Sequence, residues 1–359
     1  MTRAGRDAHI IFFEEPVFRQ AEHPILELTP RRGGVLVAVP VLPEAMRVAN
    51  QAAAQRALLR ELLSRMSNEF GSMELLFWYY TPMALAFSEE CACDLCIYDC
   101  MDELSAFRGA PPDLIERERQ LFARADLVFT GGSSLYQAKR GRHPEVHLFP
   151  SSIDAAHFEQ ARDYSAADPV DQLHIPHPRI GYFGVIDERM DLSLVSAVAE
   201  LQPAWHFVMI GPVVKIDARA LPQRPNIHWL GPKPYQDLPS YLAGWDLGFM
   251  PFALNEATRF ISPTKTPEFL SAGLRVLSTP ITDVVHPYGE AGLVSIVSSP
   301  DEMVGSAAEL LRITDRRRWL GTADAFLSGM SWDVTWSGMQ ELIDHLMAKT
   351  RQGAEVCVA

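Results

Sequence analysis

Short runs in which nearly every position is apolar, each followed by a stretch with helical spacing, recur along almost the whole chain. "HIIFFEEP" (9–16), "GVLVAVP" (34–40), "MELLFWYY" (73–80), "DLCIYD" (94–99), "DLVFTG" (126–131) and "VHLFPS" (146–151) carry apolar residues in succession, not in alternation. Strands of that kind are covered on both faces, the condition of a parallel sheet lying between helices. Helical patterns at 44–66 and 111–124 supply crossovers. The first half therefore predicts a doubly wound α/β domain.

Between 161 and 178, "ARDYSAADPVDQLHIPHP" is polar, proline-bearing and without a period, and it marks a boundary. The rhythm then restarts. "RIGYFGVI", "HFVMIGP", "IHWLGP", "LGFMPF", "RVLSTP" and "LVSIV" read as strands, with helices at 191–201, 235–244, 267–273 and 300–313. The expected organisation is an N-terminal Rossmann-like domain (1–162), a linker (163–178), a C-terminal Rossmann-like domain (179–331), a last helix (332–349) and a tail (350–359). A length of 359 residues exceeds one ordinary core and suits two. Two such domains face each other across a cleft into which strand C-termini point their loops.

A net charge of −13 argues against a nucleic-acid partner, which needs a basic footprint. No apolar run approaches the ~20 residues of a membrane span, and the opening residues lack the pattern of a secretory leader. A cytoplasmic location follows as the expectation, with reduced thiols and no disulfide framework for the five cysteines. Four of these crowd into "CACDLCIYDCMDEL" (91–104) without a second ligand cluster at zinc-ribbon spacing. Cys96, Tyr98 and Cys100 fall on one side of a strand, and cysteine packs readily as a small hydrophobe. The histidines show no HExxH spacing, and the one HxxxH, His143 to His147, runs into the predicted strand "VHLFPS" instead of along a helix. No metal is expected.

The chemistry concentrates in the second half. In "ISPTKTPEFLSAGLRVLSTP" (261–280), Thr266 reads as an N-cap, Pro267 as the first helical residue and Glu268 as a first-turn acid. Free N–H groups, hydroxyls and Lys265 at such a helix start suit a diphosphate. Glu268 can accept hydrogen bonds from ribose hydroxyls. A capped surface helix with an exposed lysine fits the same residues. In "IGYFGVIDERMDLSLV" (180–195), Gly181 and Gly184 close a strand and Arg189 precedes a helix, without a GxGxxG pattern. Those glycines equally allow strand–helix packing, and Arg189 equally pairs with Asp187 or Asp191.

The series "RIGYFGVIDERMDL … WHFVMIGP … NIHWLGPKPYQDLPSYLAGWDLGFMPF … SPTKTPEFLSAGLRVLSTP" resembles the donor-binding domain of GT-B glycosyltransferases. The likeness is to the group 1, family 4-like type that builds bacterial surface polysaccharides. It extends to "WYYTPMAL", "YDCMDELSAFRGAP", "ADLVFTGGSSLYQAKR" and "VHLFPSSIDAAHF" as an acceptor domain. "SWDVTWSGMQELIDHL" resembles the terminal helices that cross back onto it. The resemblance implies a GT-B fold of two Rossmann-like domains and a donor that is a UDP-, GDP- or dTDP-sugar. It implies no other cofactor, and a glycan or lipid-linked acceptor. The site would lie at the inner face of the cytoplasmic membrane, touched peripherally. Helix 44–66, with its arginines, is one route to that contact, or it simply covers the sheet.

By the same resemblance Arg189 and Lys265, with Gly184 and Thr264, grip the donor diphosphate, and Glu268 binds the ribose. Backbone around Gly231, Pro232 and Lys233 reads the nucleobase. The family's second glutamate, eight positions before the ribose acid, is replaced by Phe260, which leaves Glu256 and Arg259 as candidates for the donor sugar. Relatives also begin with a strand and a helix carrying a QRP-type motif before the "FFEEP" strand. The expectation is that this β-α unit, and with it some cleft contacts, is missing from the chain.

Transfer from a nucleotide sugar requires neutralising a leaving diphosphate and positioning an acceptor hydroxyl near any base. Asp99 and Asp102, at the end of "CIYD", are placed for base or acceptor binding; a helix cap is the alternative role for either. Tyr79, Tyr80 and Thr81 are expected to pack, and Ser133 to cap the helix after "TGG". A metal-independent, retaining glycosyltransferase is the leading expectation. A GT-B-fold sugar-nucleotide epimerase and an inactive glycosyltransferase-like partner protein are the alternatives.

Overall fold

The computed structural model describes residues 1–71, 73–163, 168–313, 315 and 317–356. Residues 164–167 of the expected linker and 357–359 of the expected tail lie outside them. The N-terminal strands are divided between two sheets. In the first, β1 (Ile10–Phe13) and β2 (Val17–Arg19) run parallel to β4 (Val35–Pro43), while β3 (Ile25–Pro30) pairs antiparallel with β4 along six residues. Neither β2 nor β3 was anticipated: each has apolar positions interrupted by Arg, Glu or Pro, so the runs are too short to stand out.

Helix α1 (Gln51–Phe70) follows. The expected helix 44–66 is divided: 51–66 belong to α1, while Glu44–Arg47 form a separate tight turn, broken from it by Asn50 in a left-handed conformation (φ 67°). Leu58, Leu59 and Leu62 of α1 are buried, and Arg56 and Arg60 are paired with Glu90 at 2.9 and 2.6 Å. Those arginines are engaged within the protein.

The second sheet is fully parallel: β5 (Leu76–Tyr79), β6 (Leu95–Cys100), β7 (Leu127–Thr130) and β8 (Val146–Leu148) in that order. Its helices are α2 (Leu85–Ser88), α3 (Leu114–Arg124) and α4 (Ser133–Lys139). Every residue of β6 is buried, and its side chains divide as strand alternation requires. Cys96, Tyr98 and Cys100 join Leu121, Phe122 and Leu135 on one face. Leu95 and Ile97 face the other way.

Beyond β8, α5 (Ala155–Glu159) already packs with the C-terminal core through Phe158, as does the turn after it through Ala161. That core surrounds a six-stranded parallel sheet of order β11-β10-β9-β12-β13-β14. Its elements are β9 (Arg179–Phe183), α6 (Leu192–Leu201), β10 (His206–Ile210), β11 (Ile227–Gly231), α7 (Leu238–Ala243) and β12 (Leu247–Met250). These are followed by α8 (Lys265–Ser271), β13 (Arg275–Ser278), α9 (Thr282–Val284), β14 (Val294–Ile296) and α10 (Pro300–Arg312). Local capping sets the helix starts. Asp191 accepts from Leu194 N–H at 2.9 Å before α6, and Ser299 accepts from Glu302 N–H at 3.2 Å before α10, with Pro300 at its first turn.

Helix α11 (Arg317–Leu327), absent from the expectations, buries Ala323 and Leu327 in the C-terminal core. The final helix α12 (Trp332–Val356) crosses back. Its Ile343 and Met347 lie against Leu95, Ile97, Leu127 and Phe129 of the second N-terminal sheet. Each such buried side chain contributes roughly 1.5–3 kcal/mol. Arg351 reaches Glu74 at 2.5 Å. No helix among the described residues is long and apolar enough to cross a membrane.

Candidate functional site

The loops that leave β9, β10 and β12 at their C-terminal ends are stitched into one surface. Gly184 N–H donates to Ile210 O and Gly211 N–H to Gly231 O, both at 2.9 Å. A Cβ on Gly211 would overlap Gly184 O, so these strands approach as closely as backbone allows. Ile186 bridges Val213, Met190 bridges Phe252, and Ala253 N–H donates to Arg189 O at 2.8 Å. The segment 184–190 is thus held on both sides.

Lys265 rises into this surface. A Cβ on Gly184 (φ 135°) would overlap Lys265 Cε and stand 2.6 Å from Nζ, so glycine is required both by the dihedral and by the lysine. Gly181 has a different reason: a Cβ there would enter the Trp245 ring, so this glycine serves packing. The Lys265 ammonium lies 5.7 Å from the Tyr182 ring centroid. Among the described residues it has no hydrogen-bond acceptor and no ion-pair partner. Burial lowers its pKa against the opposing pull of Glu268. Glu268, one turn on in α8, is pushed up by burial to about 7, with Lys265 and Thr264 opposing. An ammonium and a carboxyl that make no ion pair within 4 Å therefore lie one turn apart on α8, each drawing on the other's charge.

The helix start differs from the expectation. α8 begins at Lys265 with Thr264 at the cap position and no side-chain capping bond. Thr266 is buried, its hydroxyl toward Met250 Sδ at 3.6 Å, because its side chain faces the sheet.

Arg189 is not free. Asp187, 4% exposed, grips it from Oδ1 to Nε at 3.0 Å and from Oδ2 to Nη2 at 2.8 Å. The guanidinium also lies 5.4 Å from the ring of Phe107, which belongs to the N-terminal domain, and Lys215 Nζ lies 5.2 Å from the same ring. Arg108 N–H donates to Glu188 at 3.3 Å. The loop after β6 thereby touches the loops that follow β9 and β10. Lys215 adopts φ 61°, a strained value for a side-chain-bearing residue.

That contact separates the two acids of "DCMDEL". Asp102 faces the cleft, where burial raises its pKa and Arg189 counteracts. Asp99 sits within β6 at 4% exposure, accepting from Trp78 Nε1 at 3.0 Å, with Oδ1 buried and unpartnered; burial lifts it to about 6. Neither caps a helix: Asp99 is strand and the short turn Leu104–Ala106 has no side-chain cap. The Asp102 loop is anchored by Glu103, whose carboxylate meets Lys139 Nζ at 2.6 Å, and Lys139 in turn meets Glu118 at 2.7 Å.

The remaining candidates are scattered. Gly231 ends β11 with φ 68°, beside Pro232, and Lys233 is committed to Asp171 at 2.6 Å, which turns its ammonium toward the linker. Glu256 and Arg259 are exposed and pair with each other at 3.8 Å. Phe260 instead packs against the N-terminal cluster of Tyr79 and Leu85. Tyr79 is buried with its hydroxyl on Ser88 at 2.9 Å. Ser133 does not cap α4: Gly132 holds the cap position, and Asp283 of the C-terminal domain accepts from Ser134 N–H at 2.9 Å. Asp283, Phe107 and Lys215 escaped sequence reasoning, since each acts across the domain boundary. Tyr235, which stacks on His157 at 4.2 Å close to Glu268, carries only the cue of an aromatic in the "GPKPY" turn.

Two parallel-sheet domains with facing C-terminal loops and a returning terminal helix define the GT-B fold class. Among solved structures, sucrose-phosphate synthase from Thermosynechococcus elongatus superposes with a TM-score of 0.69 at 13% identity, covering 97% of this chain and 91% of that one. The Anabaena protein HepE, solved in complex with UDP, superposes at 0.63 with 14% identity over 86% of each chain. A Bacillus subtilis (strain 168) protein with the provisional name teichuronic acid biosynthesis glycosyltransferase TuaH is 26% identical over 222 residues, 56% of this chain. The match spans 54% of that relative, about half its length. No family model matches the chain.

Proposed function

We propose that the chain is a glycosyltransferase that moves a sugar from a nucleoside-diphosphate sugar to a glycan or lipid-linked acceptor in surface-polysaccharide synthesis. The observation that carries the reading is Lys265, a half-buried ammonium held against Gly184 without a hydrogen-bonded or ion-paired partner, one turn before the Glu268 carboxyl. A half-buried cation in that state suits a bound anion such as a diphosphate. Lys265 and Arg189 would neutralise the leaving group in place of a divalent cation, and Glu268 would accept from the ribose hydroxyls. Asp102, on the opposing loop, is positioned to bind the acceptor hydroxyl. Asp99, held by Trp78 within β6, supports the strand that leads to the Asp102 loop. Retention of anomeric configuration is the stereochemical course we assign, supported only by the resemblance of the donor-binding motifs. The relative's provisional name supports the polysaccharide setting.

Thermal unfolding with a panel of UDP-, GDP- and dTDP-sugars tests this. One nucleotide class is expected to stabilise the protein, and Lys265→Ala to abolish that stabilisation while remaining folded. Absence of stabilisation by every nucleotide would overturn the proposal.

A further inference from the structure

The cysteine cluster does more than fill space. Cys93 lies at the approach to β6 and is half-exposed, while Cys96, three residues on, is buried within the strand. Both residues, three positions apart, pack against the same hydrophobic cluster. Arg124, at the end of α3, reaches over them. Its Nη2 donates to Cys91 O at 2.7 Å and lies 3.9 Å from Cys93 Sγ, and its Nη1 donates to Glu89 O at 2.5 Å. Two backbone carbonyls thus fix a guanidinium beside one sulfur. The opposing charge is Asp126, whose carboxylate is occupied by Cys96 N–H at 2.8 Å.

A thiolate is the nucleophile in cysteine chemistry, and a neighbouring cation favours it. The neighbouring Cys96, followed by Arg124, holds the Cys93 thiol below the ordinary thiol range, while Cys93 and burial raise Cys96. Cys91 and Cys100 contrast with it. Both are buried, and Cys100 is pushed up to about 12 by burial.

We infer that Cys93 and Cys96 form a reversible thiol–disulfide site, with Cys93 as the attacking sulfur and Cys96 as the resolving one. With a hydroperoxide as oxidant, the Cys93 thiolate attacks the O–O bond, taking one oxygen as sulfenic acid while the other leaves as water or alcohol. The Cys96 sulfur then attacks the Cys93 sulfur, the S–S bond forms, the S–O bond breaks and a second water leaves. Both electrons of the thiol pair pass to the peroxide, and a dithiol reductant reverses the change. The site lies at the N-terminal end of β6, the opposite end from Asp102, so it is separate from the cleft.

The experiment is competitive alkylation and peptide mapping of the full-length protein. Cys93 should react with iodoacetamide about tenfold faster than Cys91 or Cys100, and Arg124→Gln should remove most of that advantage. Dilute hydrogen peroxide should remove two hydrogens from the peptide containing Cys93 and Cys96, and dithiothreitol should restore them. Cys96→Ser should stop the reaction at a Cys93 sulfenic acid that dimedone captures, while Cys93→Ser should leave Cys96 unreacted. Two results would overturn the proposal. One is equal alkylation rates at the three cysteines; the other is oxidation that crosslinks a different pair or proceeds directly to sulfinic acid in the unsubstituted protein.

Discussion

Asp283 of the C-terminal domain accepts a hydrogen bond from the Ser134 backbone N–H of the N-terminal domain at 2.9 Å. The fit is close: a Cβ on Gly132 would overlap Asp283 Oδ2 and stand 2.7 Å from Ser262 Cβ. Gly132 has extended backbone that any residue adopts (φ −165°), so only space excludes a side chain. Gly132→Ala is therefore expected to push the domains apart, costing about 1–3 kcal/mol. Solution scattering should show a larger radius of gyration with a lower unfolding temperature. An unchanged radius would mean that this contact does not set the distance between the domains.

Gly184→Ala separates two roles that a lysine substitution combines. The added methyl occupies the place of Lys265 Cε and meets an unfavourable φ of 135°. Lys265 keeps its charge but loses its position. Nucleotide affinity by calorimetry is expected to fall by about ten- to a hundred-fold, the weight of a charge-assisted hydrogen bond. Unaltered affinity would remove Lys265 from the diphosphate site.

Glu268 carries a pH signature. Its carboxyl rises from 4.5 to about 7 in the folded protein, so the folded state binds its proton more tightly than the unfolded one. Stability from this group is fully present below the unfolded value and is lost as pH climbs toward 7. Glu268→Gln should therefore stabilise the nucleotide-free protein by about 2–3 kcal/mol at pH ~8 and leave it unchanged at pH ~4. Chemical denaturation at the two pH values reads this directly. Ribose hydroxyls donating to the carboxylate would lower the raised value, so nucleotide binding near pH ~6.5 should release protons, seen as a buffer-dependent binding enthalpy.

Asp99 follows the same sign by a different route. Burial takes it from 3.8 to about 6, and its Oδ1 has no partner. Asp99→Asn can still accept from Trp78 Nε1 and removes a buried charge. Stability should rise above pH ~6 by about 2 kcal/mol and stay level below pH ~4. Loss of stability at neutral pH would show instead that the charge is compensated.

The C-terminal domain was legible because its central strands are buried on both faces and three of them, β9 to β11, end in glycine, at Gly184, Gly211 and Gly231. β2 and β3 were not, because half-covered strands of three and six residues with Arg19, Glu27 and Pro30 have no distinctive period. Lys265 and Glu268 stood out through their spacing in one helix, a property of local sequence. The pairing of Arg189 with Asp187, open in the sequence, needed coordinates to decide. Asp283 on α4, and Phe107 between Arg189 and Lys215, join residues some 80 to 150 positions apart. No local pattern encodes such contacts.

The stretch after Asp168 is fastened to the C-terminal domain by Asp168–Arg179, Asp171–Lys233 and Gln172–Trp245 at 2.6 to 2.8 Å. Ile153 and Phe158 already belong to that domain's core. The polypeptide therefore passes between the halves at 149–153 and returns at 328–332. Phe149 of the first passage lies against α12, which follows the second, since a Cβ on Gly338 would stand 3.0 Å from its ring. Two tethers so placed act as the knuckles of a door, confining relative movement to a swing about the line through them. Asp283 and Ser134 then form the latch on the free edge.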